Sequence, residues 1–225
     1  MKRKLPVLFL ILICCIVYIS IFATQQKLTG IKNEEWFTER MTYLPKTNTL
    51  KPYLLGFSTT YANYLWIRTL LYFGEHSDTD KDYTWLVTMV DMVTRLNPYF
   101  YPAYEFAGVM LPSFSNDADA ARIILNRGIS YLGNKKSILP FYLGWLYYDK
   151  YQDYEQAAQY LALAAHNKNA PPFYTALAAS FYANAGKKDY ALEFLYTAFY
   201  SSENPAVKKT IKDKIAELGG KAPGE

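Results

Sequence analysis

Chemistry in this chain has few places to reside. Asp78, Asp80 and Asp82 repeat at the opening spacing of a calcium loop, but Tyr83 stands where that loop needs Gly and Met89 where it needs its terminal Glu. The stretch is therefore read as a polar inter-helix loop, with Glu75 and His76 beside it. The second histidine, His166, follows Ala165 at the expected end of a helix, where an imidazole complements the negative dipole. Gly186-Lys187-Lys188 lacks the upstream Gly and the Ser/Thr of a phosphate-cradling loop and reads as a turn between helices. Glu34 and Glu35 are adjacent, so on a helix they do not face each other as an acid/base pair. Cys14 and Cys15 are the two cysteines of the chain, so everything after them lacks a thiol for a disulfide, a zinc ligand or a nucleophile. No catalytic, cofactor-binding or metal-binding set emerges, and the expectation is a protein that is not an enzyme.

The net charge of +4 bears on partners. Lys2, Arg3 and Lys4 carry three of those charges, leaving 21 basic against 20 acidic residues in the remainder. A nearly neutral body argues against nucleic acid, which demands a concentrated basic face. After the basic cluster, no charge interrupts the 19-residue run from Leu5 to Ala23. As a helix it would reach about 28 Å, close to the roughly 30 Å of a bilayer's hydrocarbon core. Residues 1–23 are therefore expected to form an uncleaved transmembrane anchor through residues 5–23, with the basic end cytoplasmic and the rest exported. A cleaved signal sequence or a lipid anchor on Cys14 or Cys15 fits less well, because small residues are missing at the required places.

Beyond the anchor, residues 24–50 read as a spacer, residues 51–218 as a helical domain and residues 219–225 as a tail. No strand alternation is sustained, so the fold class is all-α. An internal repeat organises the helices. A shift of 34 residues superposes Leu143 on Leu177, Tyr147 on Phe181, Tyr148 on Tyr182, Ala157 on Ala191, Tyr160 on Phe194, Leu161 on Leu195 and Ala164 on Ala198. A shift of 36 places Ala107, Gly108, Ala121, Leu125 and Gly128 under Leu143, Gly144, Ala157, Leu161 and Ala164. Tyr83, Leu86, Val90, Val93 and Pro98 give an earlier second helix, whose partner is expected over Tyr53 to Phe73. Small residues let the two helices of a hairpin approach, and hairpins that cannot cover their own apolar face must stack. At the C-terminus, Asn204 caps a helix with Pro205 at its first position. Val207, Ile211, Ile215 and Leu218 form one apolar stripe, while Lys208, Lys209, Lys212 and Lys214 face water.

These residues make the chain resemble the tetratricopeptide repeat (TPR) family. Leu143-Gly144, Tyr147, Ala157, Leu161 and Ala164 match one copy of its 34-residue motif, with a one-residue offset between the two helices. The likeness is to membrane-anchored members of the bacterial periplasm. It implies stacked helical hairpins and a membrane-tethered scaffold or adaptor that binds a protein partner on the outer face of the inner membrane. A permanent structural subunit of a membrane-associated complex is the alternative. No nucleic acid, small-molecule substrate or cofactor is expected. In that family the first helix of each hairpin lines the partner groove. Counting from Ala121, Ala157 and Ala191 implies Phe106, Met110, Tyr142, Leu146, Asp149, Lys150, Phe173, Ser180 and Asn184 as its lining. The topology has a direct consequence: a reporter fused after Glu225 should be active only outside the cytoplasm, and the mature protein should retain residues 1–23. Sequencing a processed N-terminus near residue 24 would refute the anchor.

Overall fold

A computed structural model describes residues 13–23, 47–133, 136–167, 169–221 and 223. The chain divides into two units, Met1–Pro45 and Lys46–Glu225. In the first, residues 13–23 form a helix, α1, whose described side chains are all exposed. Both cysteines lie in it, free and exposed. Residues 1–12 of the expected anchor, residues 24–46 of the expected spacer with Glu34 and Glu35, and residues 222, 224 and 225 of the tail lie outside the described residues. Among the described residues, no helix is long and apolar enough to cross a membrane.

The second unit is built of helices joined by turns, with no strand among its described residues. After a short turn, α2 (Thr47–Leu50), come α3 (Ser58–Asp78), α4 (Leu86–Leu96), α5 (Tyr101–Met110), α6 (Ala118–Leu132), α7 (Ile138–Leu146), α8 (Tyr154–Ala165), α9 (Phe173–Asn184), α10 (Lys188–Ser201) and α11 (Pro205–Glu217). Successive helices pack as hairpins, α3 with α4, α5 with α6, α7 with α8 and α9 with α10, and α11 closes on α9 and α10.

The first hairpin corrects the expected boundaries. Pro52 sits in a 3₁₀ turn (Lys51–Leu54), and Leu55 (φ 46°) and Gly56 (φ 91°) then turn left-handed, so α3 starts at Ser58 rather than Tyr53. It also runs past Phe73 to Asp78, which draws His76 into the helix. The acidic loop serves itself. His76 Nδ1 lies 2.5 Å from Asp80 Oδ1, and Asp80 accepts from the Asp82 backbone N–H. Asp82 in turn accepts from the N–H and hydroxyl of Thr84. These bonds hold the Asp80 and Asp82 carboxyls below their usual range, foremost the backbone N–H of Asp82 for Asp80 and the hydroxyl of Thr84 for Asp82. Among the described residues, no group of three or more acidic, His or Cys side chains is placed to hold a metal.

Hairpins two and three repeat at 36 residues down to their turns. Ala103, Tyr104 and Ala107 of α5 correspond to Leu139, Pro140 and Leu143 of α7, all buried. Each first helix widens into a five-residue π-helical turn, Leu111–Ser115 and Tyr147–Tyr151. A left-handed residue follows, Asn116 or Gln152, and then an Asp that caps the second helix: Asp117 accepts from Ala120 N–H and Asp153 from Gln156 N–H, both at 2.9 Å. The fourth hairpin lacks this π turn. Gly186 (φ 77°) makes the reversal directly after α9. One residue is thereby lost between its helices. The second helices keep the 34-residue shift, Ala157 with Ala191 and Leu161 with Leu195, but the buried positions of the first helices align at 35: Leu139 with Tyr174, Leu143 with Ala178, Gly144 with Ala179, Leu146 with Phe181. The superposition of Leu143 on the half-buried Leu177 is thus corrected to Ala178.

Close approach within hairpins depends on missing side chains. A Cβ on Gly144 would lie 2.9 Å from the Ala157 carbonyl oxygen and 3.0 Å from Leu161 Cγ. A Cβ on Gly128 would strike the Tyr104 ring at 2.7 Å. Between hairpins, aromatic rings and ion pairs add to the aliphatic packing. Phe106 of α5 stands edge-on between Trp66 and Phe73 of α3, at 5.4 Å from each. Phe141 stacks on Tyr174 and Tyr148 on Phe181. Arg127 of α6 reaches back to α4, 2.7 Å from both the Asp91 carboxylate and the Thr94 hydroxyl. At the far end, Asn204 caps α11 by accepting from Ala206 N–H, and Ile211 and Ile215 are buried. Lys208 and Lys212 lie over the ring of Phe199 rather than only in water.

Two glycines should therefore respond oppositely to alanine. Gly144→Ala forces the α7–α8 contact apart and should lower stability by about 1–2 kcal/mol, the overpacking cost exceeding the gain in helix propensity. Gly74 lies inside α3 with nothing within 4 Å of an added Cβ. Gly74→Ala should raise stability by about 0.5–1 kcal/mol. Thermal melts of the two variants decide both, and an unchanged melt for Gly144→Ala would contradict the packing.

Candidate functional site

In a stacked hairpin array, first helices lie side by side, and whatever they leave uncovered forms a continuous surface. Here α5 packs on α7, α3 touches α5 through rings, and α7 touches α9 through Phe141. The burial pattern sets the uncovered face. The sequence-derived lining splits on it. Leu146 is 2% exposed and belongs to the core, where it corresponds to buried Phe181. Phe106 is clasped by Trp66 and Phe73. Tyr142 packs its ring into the notch that Gly108 leaves on α5, a site where a Cβ would meet it at 2.9 Å. Met110 is half-buried beside buried Leu111. Asp149 and Lys150 are exposed and paired with each other at 3.2 Å. On α9, Phe173 (51% exposed) and Asn184 are open, and Ser180 is half-buried with its hydroxyl donating to the Ala176 carbonyl.

With the 36- and 35-residue registers of the first helices, the uncovered positions fall into rows. Pro102, Ile138 and Phe173 form one, Glu105, Phe141 and Ala176 a second, Val109, Trp145 and Ser180 a third, and Ser113, Asp149 and Asn184 a fourth. On α5 and α7 this lies one residue before the counted set. The signal was present in the sequence: Leu143-Gly144 fixes the register of the first helix directly, whereas counting back from Ala157 crosses the turn that contains the extra residue.

Trp145 is the largest side chain of the set, 46% exposed and edge-on to Tyr148 at 5.2 Å. Phe141 and Phe173 meet edge-on at 6.2 Å. Among these apolar side chains stands one carboxylate of the second row, Glu105, half-buried and accepting a short hydrogen bond from the Tyr101 hydroxyl one helical turn earlier. Burial first, and then Glu105, raise the Tyr101 hydroxyl above its ordinary range, and the same two causes raise Tyr142. Lys136 lays its ammonium over the Tyr101 ring, 4.2 Å from the centroid. The surface can hold an extended or helical apolar segment by ring contacts, with one acidic point at its α5 edge.

A separate cleft of about 440 Å³ is lined by Asp82, Tyr83, Thr84, Val87, Thr88, Phe114, Ser115 and Asp117. Its two carboxylates are committed to the turn and cap described above. It gathers no convergent charge.

The adjacent pair Trp145 and Leu146 tests the register. Leu146→Ala should cost about 2–5 kcal/mol, as for a core leucine. Trp145→Ala should cost less than about half as much, because its ring packs on one side only. Urea unfolding of the two variants reads this, and a larger loss at Trp145 would restore the counted register. No family model, no curated protein and no solved structure matches this chain.

Proposed function

We propose that the chain is a TPR-like scaffold, tethered to the outer face of a bacterial inner membrane, that binds a protein partner along the first helices of its hairpins. The observation that carries this reading is the group of aromatic side chains on the first helices α7 and α9, half-buried Phe141 with exposed Trp145 and Phe173, in an array without a catalytic constellation among its described residues. Aromatic anchors of this kind concentrate binding energy, about 2 kcal/mol or more for the best of them. For the tether, support comes from the uncharged run Leu5 to Ala23 behind a basic cluster, and from α1, whose exposed Ile13, Ile16, Val17, Ile19, Ile21 and Phe22 suit lipid better than water.

The second reading, a permanent structural subunit of a membrane-associated complex, draws on α3. Its outer face leaves Tyr64, Ile67, Leu70 and Leu71 43–58% exposed along one stripe. A lasting interface hides such a stripe, whereas a transient one leaves it wet.

A photoreactive phenylalanine at position 145 should crosslink a partner in intact membranes, and the same group at position 209 on the lysine-bearing α11 should not. Adducts in equal yield from both positions, or from 209 alone, would move the interface away from the first helices. Co-purification in fixed stoichiometry through high salt would favour the structural subunit.

A further inference from the structure

The surface on α5, α7 and α9 has a chemical polarity that its aromatic content alone does not explain. Its α5 edge carries Glu105, and the neighbouring positions on α7 and α9, Ile138, Phe141, Trp145, Phe173 and Ala176, are ring and aliphatic. The carboxylate is held in place: the Tyr101 hydroxyl donates to it from one turn earlier on the same helix. Beyond it the Tyr142 ring is fixed against the Gly108 backbone, and the Tyr174 ring is stacked on Phe141 at 4.6 Å and 12°. A carboxylate flanked by aromatic faces is a receptor for an ammonium or guanidinium group, which gains both the ion pair and the ring quadrupole. The chain supplies its own instance of that chemistry, since Lys136 from the α6–α7 turn already rests on the Tyr101 ring. At the opposite edge the acidic side chain, Asp149, is matched by Lys150 of the same turn.

We infer that the partner segment is an extended peptide bearing a lysine or arginine that seats against Glu105 and the Tyr101 ring, with apolar side chains running on to Phe141, Trp145 and Phe173. The inference rests on the scaffold reading above and specifies its ligand. Lys136 then acts as an internal competitor for the same ring, exchanged for the partner's cation.

The test uses the full chain in detergent and fluorescent, end-blocked hexapeptides of Leu and Phe. One set carries a single lysine at the first or last residue, and its counterpart carries uncharged, nearly isosteric norleucine. Anisotropy should show the better lysine peptide binding at least tenfold more tightly than its norleucine counterpart in low salt, with the ratio shrinking as salt rises. Glu105→Gln should bring the ratio to about one, and Lys136→Gln should tighten the lysine peptide several-fold. Equal binding of both peptides by the unaltered protein overturns the cationic site and leaves the aromatic surface standing. Failure of both peptides to bind at millimolar concentration overturns the surface as well. Because the lysine-to-norleucine ratio is measured on the unaltered chain, the outcome does not depend on how Glu105→Gln folds, and weaker binding by Lys136→Gln would overturn the competitor role.

Discussion

The contact between Gly144 and the backbone of Ala157 is the constraint from which the array follows. Two helices that meet through a glycine and an alanine come close enough for Leu161 to fill the space beside them, and that closeness sets how much of each helix remains uncovered. A bulkier side chain there would spread the hairpin and present a different face to its neighbours. The uncovered surface of α5, α7 and α9 is therefore a by-product of packing on the opposite side of the same helices. Tyr104 against Gly128 performs the same task one hairpin earlier, with a ring filling the space that the missing Cβ leaves.

What holds hairpins to one another is more varied. Hairpins three and four share an alanine- and leucine-lined contact between α8 and α9, and aromatic and polar contacts are added along the array: Phe106 between Trp66 and Phe73, Phe141 on Tyr174, Tyr148 on Phe181, Arg127 on Asp91. Rings tolerate offset and edge-on geometries over a range of separations, so they accommodate hairpins that are not identical.

The second helices were legible in the sequence because their small residues recur without interruption: Ala121, Ala157 and Ala191 are all buried where the repeat requires. Asn204 and Pro205 likewise announce α11 through chemistry local to the helix start. The lining of the first helices was read one residue out on α5 and α7, because their π turns insert a residue between the landmark alanine and the helix being counted, and nothing in LPSFS or YYDKY signals a π turn by composition. The start of α3 was missed for a related reason. Leu55 adopts a left-handed backbone that its own type disfavours, so only the pair Leu55-Gly56 taken together marks the break. Glu105 was overlooked because a lone acid on an apolar helix carries no pattern, and its place became visible only with Tyr101 and Tyr142 around it.

Arg127 gives the array a grain. A stack of hairpins joined only by nearest-neighbour apolar contacts can fray one unit at a time, each step exposing surface that water tolerates. Separating α6 from α4 would in addition strand the largely buried guanidinium of Arg127 away from Asp91 and Thr94, a far costlier event than parting two rings. The first two hairpins are thus tied by a charged bond in addition to their packing, whereas the third and fourth are joined by the buried contact of Ala157, Ala158 and Leu161 of α8 with Ala178 and Ala179 of α9, with the exposed Lys187–Glu155 pair outside it. The surface spanning α5, α7 and α9 runs past seams of different kinds, so a ligand laid along it would splice them mechanically.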